Sequence, residues 1–378
     1  MRKLRIGVWL HEIAPTKGGA YGYYTEIIRA LSTYPFKDAE IVFLSDKNIA
    51  SDSFVVHVIK NKPHKSPILR KILEKMKSKQ VDAFKNEIYA YADIVYYPTQ
   101  FCFSTDIPYI YTLWDLGHLD TYAFPELVMN GNFEYRRKNN DLIVHKALAI
   151  FTESETGKNE CERYLNIHRD RIKVIPIFPS GVVNTECTSV KPIKIKEGEM
   201  FIHYTAQYWA HKNHYNLLLA MVEVVKKFPE IKLIFTGSDK GNKEYILKTV
   251  NELNLTKNVI DLGFVSLPEL RWLYQNSHGL IMPTLFGPTN MPPLEAAELG
   301  CPVACTNLPG HIEQLGEYGY YFDALDANDM AIKIITMIND KKHGVIKKYD
   351  NKFNINTALA ALDIAFTELK PIRFTWGK

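Results

Sequence analysis

Short runs of β-branched and aromatic residues alternate with longer amphipathic runs along this chain, and the alternation stops once and then restarts. Residues 4–10, 40–45, 54–59, 93–97, 109–114, 149–153 and 172–177 read as strands, with helical periodicity at 21–31, 80–90, 133–147 and 157–165. Strands separated by helices cannot pair through tight hairpins, so the pattern predicts βαβ units and a parallel sheet. The pattern fails across 178–199, where Pro179, Gly181, Pro192 and Gly198 interrupt a stretch without apolar period. It resumes with strands at 201–205, 231–236, 259–263, 279–283, 303–306 and 319–322, and with helices near 213–227, 241–253, 267–276, 292–299, 310–315 and 327–339. A chain of 378 residues outgrows a single core. The expectation is therefore two α/β domains, 1–180 and 200–354, a linker at 181–199, and a last helix within 355–378 that could pack on either domain, a return to the first included. Two doubly wound parallel sheets would face a central cleft with their strands' carboxyl ends, where open α/β sheets bind ligands.

Charge and cysteine content narrow the setting. A formal net charge of +4 is too small to argue for nucleic acid, and none is expected as a partner. Residues 60–79 hold eight Lys or Arg and one acid, Glu74, with Ile68, Leu69, Ile72, Leu73 and Met76 at helical spacing. That pattern has two readings of equal weight: a functional helix, resting on an anionic membrane surface or receiving a phosphorylated acceptor, or a solvated surface helix. Five scattered cysteines, no secretory pattern in the opening residues and no long apolar run lead to an expectation of a reduced, cytoplasmic protein, peripheral if it meets the membrane at all.

The most informative stretch runs from Pro283 to Pro302. A buried strand ends at Pro283, a loop of Gly287, Pro288, Thr289, Asn290 and Met291 follows, and a helix is expected to begin at Pro292–Pro293. The N-terminal turn of such a helix suits a diphosphate. Glu295 is expected in that first turn, facing the cleft mouth, where its carboxylate would accept hydrogen bonds from ribose hydroxyls; by position alone, complementing the helix dipole is the favoured reading.

These residues resemble the family 4, GT-B glycosyltransferases of bacterial polysaccharide and lipopolysaccharide assembly. The family's Glu-x7-Glu segment runs into a Leu-Glu-Ala helix and a Gly-Cys-Pro turn, matched by Leu294-Glu295-Ala296 and Gly300-Cys301-Pro302. The first Glu of the pair, placed near the transferred sugar in the family, is replaced by Gly287, so that loop amides and Asn290 would take over its contacts. Tyr204 to His214 resembles the family's diphosphate-binding segment: Lys212 matches its Lys, Gln207 stands where it has Arg, and His211 would supply some of the missing charge. Weaker matches lie at Phe235-Thr236-Gly237, Leu262–Leu270 and Leu308–Glu313.

On the first domain, Gly18 and Gly19 precede Tyr21 in a loop that would approach donor phosphates or acceptor at a helix start. Trp114 and Asp115 follow a strand where the family has His-Asp facing the sugar. Asp115 or His118 would bind the sugar or orient the acceptor hydroxyl, although His118 could equally hold local structure. No Asp-x-Asp occurs, and neither metal nor other cofactor is expected. The resemblance implies a retaining transfer of a hexose or deoxyhexose from a nucleoside-diphosphate sugar to a saccharide or lipid-linked acceptor. A nucleotide-sugar epimerase, or a binding protein without catalysis, would share the fold.

Overall fold

A computed structural model describes residues 2–61, 74–345 and 347–376. The basic amphipathic stretch expected at 60–79 falls largely outside the described residues; helix Glu74–Tyr91 begins at its end.

The described residues form two parallel sheets. The first contains β1 (Leu4–Trp9), β2 (Ala39–Ser45), β3 (Val56–Val58), β4 (Ile94–Tyr97), β5 (Tyr109–Thr112), β6 (Ala149–Thr152) and β7 (Ile172–Val174), in the order β3-β2-β1-β4-β5-β6-β7. The second contains β8 (Phe201–Thr205), β9 (Lys232–Thr236), β10 (Val259–Gly263), β11 (Leu280–Met282), β12 (Val303–Thr306) and β13 (Gly319–Phe322), in the order β10-β9-β8-β11-β12-β13. Every pairing within them is parallel. β4, β5, β6 and β12 are buried along their whole length, as strands covered on both faces must be.

The strand order reverses between β1 and β4 in one sheet and between β8 and β11 in the other. Loops leaving adjacent strands diverge at such points and open a crevice. The loop after β1 carries Gly18, the loop after β8 carries Lys212, and the loop after β11 carries Asn290.

The final helix, Ile355–Phe374, belongs physically to the first sheet. Its Ala358, Leu359, Leu362, Ala365, Phe366 and Leu369 join Ile6, Val8, Ile27 and Leu31 in one core. Asn354 caps its start by accepting from the Thr357 amide at 3.0 Å, and Lys370 pairs with Asp38 at 2.6 Å. Its other end is tied by Arg373, whose Nε donates to the Asp93 carbonyl at 2.8 Å. Among the described residues no helix is long and apolar enough to cross a membrane.

Candidate active site

Lys212 closes a short 3-10 turn, Ala210–Lys212, after β8. Its carbonyl accepts from the Tyr204 hydroxyl at 2.8 Å, and Asn213 beside it donates to the carbonyls of Pro283 and Ala324. The backbone is thus pinned, and the ammonium reaches across to Asn290 Oδ1 at 3.1 Å. Why the Asn290 oxygen faces the lysine can be read from its neighbours. His311, fully buried, donates Nδ1–H to the Thr306 carbonyl at 2.8 Å, leaving Nε2 as an acceptor for Asn290 Nδ2 at 3.0 Å. Burial holds the His311 pKa down at about 4, which keeps this tautomeric chain neutral. Lys212 itself makes no ion pair with a carboxylate among the described residues. Burial pushes its pKa down to about 8, with Asp115 and Glu126 pulling against that from a distance. A cation held in a cleft by one neutral amide has capacity left for an anion.

Asn290 also stands at the N-cap position of helix Met291–Glu298, without a side-chain capping bond, and that helix starts one residue before the expected Pro292. The first-turn amides available to an anion are fewer than the sequence reading assumed. Pro292 and Pro293 have no N–H, and the Asn290 amide is taken by Gln314 Oε1 at 3.1 Å. Met291 supplies the remaining donor; its side chain packs with Leu294 into the core of the first domain.

The position of Glu295 corrects the expectation. It lies in the second turn, not the first, and is buried. Oε1 accepts from the Ser180 hydroxyl and amide, and Oε2 from the Tyr274 hydroxyl at 2.8 Å. Burial raises its pKa, while those bonds oppose the rise.

His211 is corrected too. Its Nδ1 and backbone amide both engage Glu126, which belongs to the short helix Pro125–Val128 of the first domain. Burial lowers its pKa to about 4 despite that carboxylate, so it brings no positive charge to a phosphate at neutral pH. Gln207 donates to the Thr16 carbonyl at 2.9 Å and accepts from Trp209, which joins it to the loop of Gly18 and Gly19. Tyr21, in the first turn of helix Gly19–Thr33, is exposed.

Gly287 has φ +125°, where an L-residue is strained, and a Cβ there would lie 3.1 Å from Asn290 Nδ2. Thr289 donates its hydroxyl to Glu153, the residue after β6, and Ser154 Oγ donates to the Pro288 carbonyl at 3.4 Å. Asp115 pairs with Arg136 at 3.0 Å and accepts from the Gly117 amide at 3.1 Å. It lies close enough to bias both Lys212 and Glu153 electrostatically. His118 is buried against Phe133 and Asn140; burial lowers its pKa to about 4, with Asp115 opposing that shift, and its Nδ1 has no hydrogen-bond partner among the described residues.

The structure therefore gathers Gln207, Lys212, Gly287, Thr289, Asn290 and Asp115 at the facing strand ends. The sequence reading missed Glu126, Glu153, Ser180 and Tyr274. Glu153 had a legible signal, since a carboxylate directly after a buried parallel strand stands at the sheet's ligand edge. Among the described residues no group of three or more His, Cys, Asp or Glu side chains is arranged to hold a metal.

Two doubly wound parallel sheets, both presenting their reversal points to one cleft, define the GT-B fold. Residues 188–357 match the family described as Glycosyl transferases group 1, and the domain they form belongs to it. Over the whole length the fold is similar to a glycosyltransferase from Rickettsia africae, with TM-score 0.65, 16% identity, and 98% of this chain and 99% of that one covered. It is similar also to the Anabaena protein HepE in complex with UDP and glucose, with TM-score 0.61, 17% identity and coverage of 98% and 99%. In sequence it resembles the O-antigen chain mannosyltransferase B of Escherichia coli, 24% identical over 231 residues, 59% of this chain and 60% of the relative. The matched stretches span 45–60% of the curated relatives' own length.

Proposed function

We propose that this chain is a retaining glycosyltransferase that moves a hexose or deoxyhexose from a nucleoside-diphosphate sugar to a saccharide or lipid-linked saccharide, without a metal. The observation that carries the reading is Lys212, a cleft cation held by the Asn290 amide oxygen and free of any carboxylate partner among the described residues. The leaving diphosphate would meet Lys212, Asn290 Nδ2 and the Met291 amide, which neutralise the charge that grows as the sugar–phosphate bond breaks. Binding of UDP and glucose by HepE, and the mannosyltransferase relative, support the substrate class.

Glu295 fits this reading with one exchange. Ser180 and Tyr274 hydroxyls occupy its two oxygens, and a ribose hydroxyl entering the cleft would take the place of Ser180. In the transfer, the C1–oxygen bond to the phosphate breaks, the acceptor oxygen bonds C1 on the same face, and its proton passes to the departing phosphate. Asp115, held by Arg136, would orient the acceptor or the sugar.

The test is a panel of UDP-, GDP- and dTDP-sugars incubated with purified protein in excess chelator. Slow hydrolysis of one donor is expected. Nucleotide binding without any turnover would point to a non-catalytic binding protein, and hydrolysis abolished by the chelator would refute the metal-free reading.

A further inference from the structure

The loop between β11 and helix Met291–Glu298 lacks a carboxylate where the resembled family has one. Its backbone explains why none fits, since φ at Gly287 is +125° and a Cβ would press on Asn290 and the Thr289 carbonyl at 3.1 and 3.2 Å. A carboxyl group nevertheless reaches this loop from the opposite sheet. Glu153, the first residue after β6, sits on the Thr289 hydroxyl, two residues along from Gly287.

Several features hold it there. Ser154 caps helix Glu155–Leu165 by accepting from the Gly157 amide at 3.0 Å, and it donates to the Pro288 carbonyl. Glu313, from the second domain, accepts from the Glu155 and Thr156 amides at 2.7 and 2.9 Å. The residues on the C-terminal side of Glu153 are thereby clamped to the nucleotide-binding half. The Glu153 carboxyl itself is buried with a single hydrogen bond, from Thr289, among the described residues. Removing a carboxyl from water for one hydroxyl contact is costly unless another partner completes its hydrogen bonding for part of the working cycle. Lys212 and Asn290 fix where the diphosphate would lie, and Thr289 is the next residue along the loop.

We propose that Glu153 binds hydroxyls of the transferred sugar, supplying from the N-terminal sheet the carboxyl that the resembled family carries at the position of Gly287. The inference rests on the reading that the cleft takes a nucleotide sugar. Burial pushes the Glu153 pKa up to about 8, so at neutral pH it is a protonated acid, able both to donate to a sugar oxygen and to accept from a hydroxyl.

The experiment compares nucleotide with nucleotide sugar. The wild-type chain, Glu153→Ala and Glu153→Gln are titrated calorimetrically with UDP, UDP-glucose, GDP, GDP-mannose, dTDP and dTDP-glucose, and kcat and KM are measured for whichever sugar donor turns over. Nucleoside-diphosphate affinity should stay within about twofold in both variants, while the affinity for the matching nucleotide sugar falls roughly tenfold in Glu153→Ala and less in Glu153→Gln. Glu153→Gln keeps the side chain's volume and its contact with Thr289, so it remains informative if the alanine variant unfolds. Equal losses for nucleotide and nucleotide sugar would mark Glu153 as a strut and overturn the proposal, as would no loss for either. Wild type that bound none of the six would instead sink the parent reading, and this one with it.

Discussion

Replacing Lys212 by Met should weaken nucleotide binding while leaving the empty protein more stable. The two effects have one origin. The ammonium is drawn out of water against a single amide oxygen at 3.1 Å, and burial depresses its pKa to about 8. In the empty protein the charge is a liability. The folded pKa is depressed below the unfolded value of ~10.4, so the penalty is fully present below pH 8 and fades as pH rises toward ~10.4. Methionine keeps the chain length without the charge, and the melting temperature at pH 7 should rise. In the complex the same charge faces a diphosphate. Two unit charges 4 Å apart at an effective dielectric of 20 attract by ~4 kcal/mol. Loss of the Asn290 contact and of residual water offsets part of that, leaving about 2–3 kcal/mol for one charge-assisted contact, or roughly 30- to 150-fold in Kd.

Calorimetry with UDP and GDP in chelator, alongside thermal melts, measures both quantities. Wild-type affinity should be level from pH 6 to about 7.5 and decline above pH 8 as the free lysine loses its proton. Lys212→Arg should abolish that decline. A Kd within threefold of wild type for Lys212→Met, or a fall in melting temperature without a change in affinity, would refute the reasoning.

Glu295→Ala leaves the buried hydroxyls of Ser180 and Tyr274 unpaired, so it should cost about 2–4 kcal/mol of stability by denaturant melts as well as weakening nucleotide binding. Ser180→Ala removes only the competing hydroxyl; if ribose takes its place on Glu295, nucleotide affinity should hold or improve, and a clear loss would count against that exchange. Because His211 is neutral and bound to Glu126, nucleotide affinity should not rise between pH 7.5 and 5.5; a steep rise would show a protonated imidazole at the phosphate. Gly287→Ala forces an L-residue to φ +125° and should lower stability by about 1–3 kcal/mol, read from the urea midpoint.

The fold was legible because its central strands are buried on both faces. Such strands appear as dense apolar runs rather than alternating ones, and β8 and β12 begin and end where those runs do. β3 is shorter than its run, whose first residue, Phe54, stacks on Phe43 of β2. The site was legible in outline, since Lys212, Asn290 and Glu295 each follow a strand of the second sheet. Their surroundings were not. Glu295 is engaged by Ser180, 115 positions away, and His211 by Glu126, 85 away, and neither pairing has a periodic or local signature. One misjudgement was avoidable: two successive prolines in the first turn of a helix delete the amides that would make it an anion site.

The pairing pattern across the cleft carries a chemical consequence. Glu126, Glu153, Glu295 and Glu313 each make a contact spanning the cleft or reaching the segment that joins its two walls. Each is met by an imidazole N–H, hydroxyls or backbone amides. Lys212 forms an ion pair with none of them. Had any one of these carboxylates taken Lys212 in a close ion pair, that charge would already be committed when a diphosphate arrived, and separating the pair would cost several kcal/mol in a partly dry site. Hydroxyl and amide contacts, at about 0.5–1.5 kcal/mol each, are cheaper to exchange. The exchangeable partners are hydroxyls, which are the groups a ribose and a hexose present, and the unmatched charge is the one a diphosphate requires. A ligand with only one of these features, such as a free sugar or inorganic pyrophosphate, should therefore bind much more weakly than a nucleotide sugar that satisfies both.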